Sequence, residues 1–287
     1  MPQRPRTAYI GIAFEQGRPW IFLLTIFIGA GCSHTRDSHE LLHSRLWMQT
    51  SAEYHAIAST TYRQAGEALD LALRDTTWTA ALEQTGDFTT LPPAVILDLD
   101  ETVLDNGPFE GRLIRDRTSF SSFTWDQWVE EANASALPGA LEFVANARSK
   151  GVTVLFIANR QARHETRTRV NLEKLGIPLP TDFDTVLLEG EAPFNWPSDK
   201  SSRRRYVADR FRILLLIGDD LGDFVSGARD VPENRVRLAR QYGTRWGTSW
   251  FLLPNPVYGS WEASLSSPAL SDADRLAIKR KLLDSVP

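Results

Sequence analysis

Two aspartates at the end of an apolar run are the residues of this chain best suited to chemistry. Asp98 and Asp100 follow residues 94–97 and lead into Glu101 and Thr102. Side chains alternate along an extended chain, so the two acids are related by its period of two. Unpaired buried carboxylates are costly, and a bound divalent cation is the natural compensation. One carboxylate could then act as a nucleophile on phosphorus and the other could transfer protons.

Three further polar clusters stand where predicted strands end or a helix begins. They are Ala158-Asn159-Arg160, Ser198-Asp199-Lys200-Ser201 and the stretch from Gly218 to Asp223. Asp98 is the predicted nucleophile, Asp100 the acid and base, and Lys200 a fixed positive charge beside nucleophile and phosphate. We expect Mg²⁺ to be held by the Asp98 carboxylate, the Asp100 backbone carbonyl and Asp219. Asp223 is expected to hold Lys200 or a metal-bound water.

The elements that must position these clusters alternate between strand and helix. Strands are predicted at 94–97, 152–157, 185–188, 213–217 and 250–253, and helices at 140–150, 163–175 and 199–210. This alternation predicts an α/β fold with a Rossmann-like parallel sheet flanked by helices on both faces. Ligands of such sheets bind at the carboxyl ends of the strands, which is where the clusters fall.

The rest of the chain divides around this core. We predict a signal peptide at 1–31, a tether and N-terminal helical segment at 32–90, and the core at 91–287 with a helical insertion at about 107–137. The N-terminal helix is expected over 41–74, with Thr50 and Glu53 as a capping box. The insertion is rich in Phe and Trp and is expected to lie over the strand ends as a small cap.

The N-terminus has the charge order of a secretory signal. Arginines precede the apolar residues 20–28, and small residues then lead to Cys32, the only cysteine. The apolar run is shorter than the roughly 20 residues of a spanning helix. The stretch resembles a bacterial lipoprotein signal, although Gly29 stands where Leu is usual. Lipid on Cys32 would anchor the protein in the cell envelope, and Ser33 favours the outer membrane.

Composition excludes several classes of protein. The chain has 287 residues, is 42% hydrophobic and 24% charged, and carries a formal net charge of −4. It is not basic, so nucleic acid is not an expected partner. The five histidines show no metal-ligand spacing, and no Arg-His-Gly stretch indicates a histidine phosphatase.

Together the four clusters resemble those of the haloacid dehalogenase (HAD)-like phosphatases, which have four catalytic-site aspartates. Two further stretches, LWMQTSAEY at 46–54 and LPNPVYGSWE at 253–262, lie outside that general pattern. They resemble the class C acid phosphatases, also called the outer-membrane lipoprotein e family of 5′-nucleotidases. The resemblance implies a secreted, lipid-anchored, Mg²⁺-dependent phosphomonoesterase that is often a homodimer. It also implies small phosphomonoester substrates, among them 5′-nucleotides and nicotinamide mononucleotide.

The same resemblance implies aromatic side chains that stack on the nucleobase. Trp125 and Tyr258 best match those positions. Stacking contributes roughly 1–3 kcal/mol and tolerates different bases. Packing of Trp125 onto the core is the alternative, and the residue type does not decide between them.

One position departs from the family pattern. Ala158 stands where Ser or Thr is usual, and the missing hydrogen bond to the phosphoryl group costs about 1.5–3 kcal/mol. Thr102 and the backbone amides near Asn159 are expected to substitute in part. Arg160 either holds phosphate or pairs with a surface acid. The basic run 203–205 is interpreted as a solvated face of the helix after Lys200.

Two rival interpretations follow from these residues. A catalytically weakened lipoprotein that binds a ligand such as haem, or a host component, is favoured by Ala158 alone. The four aspartates and Lys200 oppose it, because a binding protein needs none of them. Dehalogenase or phosphonatase chemistry would keep the fold, but dehalogenation has no use for Asp100.

Overall fold

The sheet that carries the polar clusters has five parallel strands. They are β1 (Pro93–Leu97), β4 (Thr153–Gln161), β5 (Val186–Glu189), β6 (Arg212–Gly218) and β7 (Trp250–Leu252), and they lie in the order β5-β4-β1-β6-β7. The computed structural model describes residues 39–267 and 269–284, so the predicted signal peptide and Cys32 lie outside the described residues. The predicted α/β class with a parallel sheet is confirmed.

Ten helices surround the sheet in the part of the chain that is described. They are α1 (Leu42–Thr50), α2 (Ala52–Arg74), α3 (Gly107–Asp116), α4 (Ser122–Glu131), α5 (Ala140–Ser149), α6 (Glu165–Lys174), α7 (Ser201–Ala208), α8 (Pro232–Gln241), α9 (Ser260–Ala263) and α10 (Asp272–Asp284). Alternate residues of β1 enter two different cores. Val95 and Leu97 pack with α2 and α5, whereas Ala94 and Ile96 pack with α7, so helices cover both faces.

The predicted N-terminal helix is two helices with a break at Ser51. The Ser51 backbone is extended, and its side chain accepts a hydrogen bond from the Tyr54 backbone N–H at 3.1 Å. The predicted capping box at Thr50 and Glu53 is therefore wrong by one residue, because Thr50 ends α1 and Ser51 caps α2. The buried face of α2 then lies on the sheet.

The segment after β1 contains the helices α3 and α4 and a short antiparallel ladder. Its strands, β2 (Leu104–Asp105) and β3 (Ser135–Ala136), have two residues each, too few to show a period of two in the sequence. The helix α10 was not predicted either, since it buries none of its residues and has no apolar stripe. Within the described ranges, no helix is both long and apolar enough to cross a bilayer.

Candidate active site

Three carboxylates meet at the carboxyl end of the central strands. The Asp98 backbone N–H donates to the Ile217 carbonyl at 2.9 Å, which ties the turn after β1 to the end of β6. Asp98, Asp219 and Asp223 each offer an oxygen, and these oxygens lie within 4.8 Å of one another. We call these three residues the carboxylate cluster.

Lys200 neutralises part of this cluster. Its Nζ donates to Asp98 Oδ1, and to Asp223 Oδ1 at 2.6 Å, and all three side chains are almost fully buried. Burial raises the pKa of Asp98 to about 7, although Lys200 acts in the opposite direction. Burial by itself would lower the pKa of Lys200, but the Asp223 and Asp98 carboxylates outweigh it and raise that pKa. The ammonium group is therefore a permanent charge.

Asp219 has no such cationic partner among the described residues. Its Oδ1 accepts a hydrogen bond from Thr102 Oγ1 at 3.0 Å, and its Oδ2 accepts one from Asn255 Nδ2 at 2.9 Å. Burial, and then the Asp98 and Asp223 carboxylates, raise the pKa of Asp219 well above its usual range. Three carboxylates thus share one ammonium ion. This excess of negative charge on oxygen ligands fits a hard divalent cation.

The carboxylate cluster contains two of the predicted metal ligands, Asp98 and Asp219, together with Asp223. The third predicted ligand, the Asp100 backbone carbonyl, is not a carboxylate and stays a prediction. Asp223 Oδ2 also accepts the Asp220 N–H at 2.9 Å, so Asp223 is held from two sides. A Cβ at Gly218 would come within 2.2 Å of that oxygen, so only glycine leaves room for it. Of the six oxygens of the carboxylate cluster, Asp98 Oδ2 is the one that accepts no hydrogen bond from the described residues.

The Asp100 side chain points into a different set of contacts. Its Oδ1 accepts hydrogen bonds from Arg160 Nη2 at 2.7 Å, Arg160 Nε at 3.0 Å and Asn106 Nδ2 at 2.9 Å. Arg160 is buried, and its Nη1 also donates to Thr168 Oγ1 at 3.2 Å. In this structure Arg160 therefore pairs with an acid of the site. The Asp100 side chain remains 18% exposed, so it is in contact with solvent.

Asn106 organises the turn that follows Asp100. Its backbone N–H and its Nδ2 donate to the two oxygens of Glu101, and its Oδ1 accepts from Trp128 Nε1 at 2.8 Å. Burial, followed by the charges of Glu110 and Asp100, raises the pKa of Glu101. Glu101 has a positive φ of 55°, a costly conformation that the Asn106 contacts hold in place.

Two of the three arginines in the basic run 203–205 of α7 are buried, contrary to the predicted solvated face. Arg203 and Arg204 are fully buried, and only Arg205 is exposed. The solvated face predicted for 203–205 is therefore wrong for the first two. Arg204 pairs with Glu83 at 2.7 Å and donates to the carbonyl oxygens of Gly222 and Asp223. Loops at a sheet edge leave carbonyl groups without partners, and a guanidinium has enough donors to satisfy several.

The predicted phosphate-supporting residues have separate places. Thr102 is buried; its Oγ1 holds Asp219, and its carbonyl oxygen accepts from Tyr62 Oη at 2.7 Å. Asn159 is exposed, and its Oδ1 accepts from Arg203 Nη2 at 2.6 Å. Lys200 holds Asp223. Thr102 and Asp223 thus orient other site residues, whereas Asn159, near which backbone amides were predicted to bind phosphate, is exposed to solvent.

Aromatic side chains flank the Asp100–Arg160 pair. Trp125 packs against Phe109 with ring centroids 5.2 Å apart and against Phe120 at 6.3 Å; we call these three residues the aromatic rim. The guanidinium of Arg160 lies 5.5 Å from the Trp125 ring centroid. Tyr258 is half-buried beside Asn255, whose Oδ1 accepts its backbone N–H at 3.3 Å. The structure does not bring the Trp125 and Tyr258 rings into contact.

Several supporting residues were missed by sequence reasoning. Asn106, Asn255, Tyr62, Arg203 and Arg204 all hold a site residue or a site loop. Asn255 lies in the stretch 253–262, which resembles the class C acid phosphatases. That resemblance is the sequence signal that could have identified Asn255 as a site residue. The others lay in ordinary-looking helix or turn sequence.

A parallel sheet with carboxylates, a buried lysine and a helical cap at its carboxyl edge defines the HAD-like class of hydrolases. The chain belongs to the HAD superfamily, subfamily IIIB (acid phosphatase), whose family model matches residues 37–261. The class C acid phosphatase from Bacillus anthracis is similar in structure. It has 32% sequence identity and a TM-score of 0.73, with 84% of this chain and 95% of that chain covered.

The same Bacillus anthracis enzyme with tungstate bound gives 31% identity and a TM-score of 0.72 over the same shares of the two chains. Among curated proteins, acid phosphatase 1 from Solanum lycopersicum is 28% identical over 166 residues, 57% of each chain. The stem 28 kDa glycoprotein from Glycine max is 27% identical over 167 residues, 57% of this chain and 58% of its own. The chain spans little more than half the length of these curated relatives. The predicted resemblance to class C acid phosphatases is confirmed.

Proposed function

We propose that the protein is a Mg²⁺-dependent acid phosphatase that hydrolyses small phosphomonoesters through an aspartyl phosphate on Asp98. The observation that carries this proposal is the carboxylate cluster with one lysine at the sheet edge. Asp98, Asp219 and Asp223 would hold the cation. When bound, Mg²⁺ offsets the repulsion between carboxylate and phosphate and stabilises charge in the transition state.

The side chains support a two-step reaction. Lys200 engages Asp98 Oδ1, which leaves Oδ2 without a hydrogen bond among the described residues to attack phosphorus. The bond from phosphorus to the leaving oxygen breaks as that oxygen takes a proton from Asp100. Asp100 then takes a proton from water, and the resulting hydroxide releases phosphate from Asp98. The ammonium of Lys200 stays beside the nucleophile throughout and favours the anionic groups.

The substrates we propose are 5′-nucleotides or nicotinamide mononucleotide. Trp125 lies beside Arg160, which holds Asp100, so a flat leaving group could reach the ring while its phosphate faces Asp98. The tungstate bound to the Bacillus anthracis relative is a tetrahedral oxoanion, as phosphate is. This supports an oxoanion site in the present chain.

The proposed location is the bacterial outer membrane, through lipid on Cys32. Support comes from the charge order and small residues before that cysteine. Incorporation of labelled palmitate in the wild type and its loss in Cys32→Ser would test it. The proposed homodimer is tested by light scattering on protein that starts after Cys32.

Phosphate release tests the activity. We expect the purified protein with Mg²⁺ to hydrolyse p-nitrophenyl phosphate, and Asp98→Asn to reduce turnover by about 10³-fold or more. Asp116→Asn, at an exposed aspartate, is the matched control and should keep full activity. A panel of nucleoside monophosphates, nicotinamide mononucleotide and sugar phosphates would then identify the substrate. No turnover at any pH with any of them would reject the proposed function.

A further inference from the structure

A buried arginine controls a polar side chain at the end of β4. Arg203 Nη1 donates to the carbonyl oxygen of Ala158 at 2.5 Å, and its Nη2 donates to Asn159 Oδ1 at 2.6 Å. The same Nη2 donates to the carbonyl oxygens of Pro197 at 3.0 Å and Ser198 at 3.3 Å. One guanidinium therefore joins the end of β4 to the loop that leads into α7.

The chemistry of the guanidinium decides which end of the Asn159 amide faces it. Arginine has five N–H donors and no acceptor, so the amide oxygen must face Arg203 and the NH₂ group must face away. Asn159 is exposed, and its Nδ2 donates to no atom in the described part of the chain. Burial lowers the pKa of Arg203 to about 10, which leaves the guanidinium charged at neutral and acidic pH.

The free Nδ2 donor of Asn159 matters because the preceding residue, Ala158, has no donor in its side chain. Ala158 is fully buried and has no hydroxyl to offer a phosphoryl group. The Asn159 NH₂ group is a hydrogen-bond donor on the adjacent residue. A donor fixed in advance is worth more to a bound anion than one that must first reorient. Arg203, being fully buried, cannot reach the substrate itself.

We propose that Arg203 is a positioning residue for phosphate: it holds the Asn159 amide so that Nδ2 donates to a phosphoryl oxygen. The inference rests on the proposed phosphatase function and adds to it a residue from outside the four polar clusters. It also gives a role to the buried charge of Arg203, which was predicted from the sequence to be solvated. The proposal carries one restriction: Arg203 affects phosphate binding only while Asn159 is present.

A double-mutant cycle tests that restriction. Tungstate affinity is measured by calorimetry with Mg²⁺ on the wild type, Asn159→Ala, Arg203→Lys and the double variant. We expect Asn159→Ala to weaken binding about 10- to 100-fold, the range for a hydrogen bond to a charged group. Arg203→Lys should weaken it to a similar degree, because lysine cannot satisfy four acceptors. In the Asn159→Ala background, Arg203→Lys should add less than about twofold.

A structural role for Arg203 without positioning would weaken binding equally in both backgrounds, and that result overturns the proposal. Arg205→Lys is the matched control, since this exposed neighbour on α7 should leave affinity unchanged. If Arg203→Lys does not fold, Asn159→Asp replaces it. Aspartate can keep the contact with Arg203 but has no donor. It should keep the wild-type unfolding temperature and bind tungstate more weakly than Asn159→Ala. Wild-type affinity in Asn159→Asp overturns the proposal.

Failure of the proposed function has a different signature. A wild type that binds tungstate but releases no phosphate from any monoester rejects the phosphatase, and the cycle still tests the positioning role. An active wild type with an additive cycle rejects the positioning role alone. A wild type that does not bind tungstate at all overturns the positioning role whatever its activity.

Discussion

The carboxylate cluster and the aromatic rim are held together by different means. In the carboxylate cluster, each side chain has defined hydrogen-bond partners, and burial shifts the pKa of every carboxylate upward. The aromatic rim is held by ring contacts, and Phe120 remains 62% exposed. Loss of one partner leaves a charge unpaired in the first region and only reduces contact area in the second.

This difference predicts how each region tolerates change. Removing a partner of a buried charge costs several kcal/mol, because the remaining charge has been taken out of water. Ring contacts at a partly exposed surface contribute about 0.5–1.5 kcal/mol each beyond their burial. We therefore expect variants of the carboxylate cluster to lose activity or stability outright. Variants of the aromatic rim should change substrate preference.

Metal removal should have the largest effect. Chelation should abolish phosphate release and lower the unfolding temperature, because three carboxylates would then share one ammonium ion. Mg²⁺ at about 100 times its Kd should restore activity and add about 2.7 kcal/mol of stability. Differential scanning calorimetry checks this. Asp219→Asn should lose the Mg²⁺-dependent rise; an equal rise in that variant would place the ion elsewhere.

Arg204 should show the next largest effect, on stability. Arg204→Met breaks the buried pair with Glu83 and leaves the carbonyl oxygens of Gly222 and Asp223 without their donor. We expect a loss of about 3–5 kcal/mol in the free energy of unfolding, measured by urea denaturation. Arg205→Met, one residue along the same helix, should change it by less than about 0.5 kcal/mol. Equal losses would contradict the assignment of one buried and one exposed arginine.

The contrast within this arginine run shows where sequence reasoning stops. The ends of β1 and β6 could be predicted from apolar runs, and parallel neighbours bring Asp98 and Asp219 together. Burial of Arg203 depends on carbonyl and amide groups contributed by other loops, one of them 44 residues away. The link from Asn255 to Asp219 spans 36 residues. No local period encodes such pairings, so they become visible only in the folded chain.

Glu110 on α3 is buried beside Arg45 and should make stability depend on pH. Burial raises the pKa of Glu110 to about 7 from its usual 4.5, although Arg45 opposes the shift. The folded protein therefore binds this proton more tightly than the unfolded chain. The stabilisation is complete below pH 4.5 and is lost as the pH rises through 7, by up to about 3 kcal/mol.

Glu110→Gln should remove that share of the pH dependence. The measurement is the free energy of unfolding from pH 4 to 8 in the wild type and in the variant. Because other buried acids also titrate, the difference between the two curves is the informative quantity. Glu130→Gln, at an exposed glutamate, should reproduce the wild-type curve. A Glu110→Gln curve parallel to the wild type would show that Glu110 is ionised in the folded protein.

Trp125 should show the smallest effect and the most selective one. If its ring stacks on a nucleobase, Trp125→Ala should raise KM for a nucleoside monophosphate by about 5- to 100-fold, equivalent to roughly 1–3 kcal/mol. The values of kcat and of KM for a sugar phosphate should change little, since the carboxylate cluster is untouched. Phe123→Ala is the control, because Phe123 is 71% exposed and makes no ring contact within the described residues.

The opposite outcome for Trp125 is equally informative. Trp125 also packs on Phe109 and faces Arg160, which holds Asp100. If its role is packing, Trp125→Ala would loosen Arg160, and kcat would fall for nucleotide and sugar phosphate alike. A uniform loss would move Trp125 from substrate recognition to support of Asp100. Comparison of the change in KM for the nucleotide with the change in kcat for both substrates therefore decides the role of the aromatic rim. A selective rise in KM indicates recognition of the leaving group, and a general fall in kcat indicates support of Asp100.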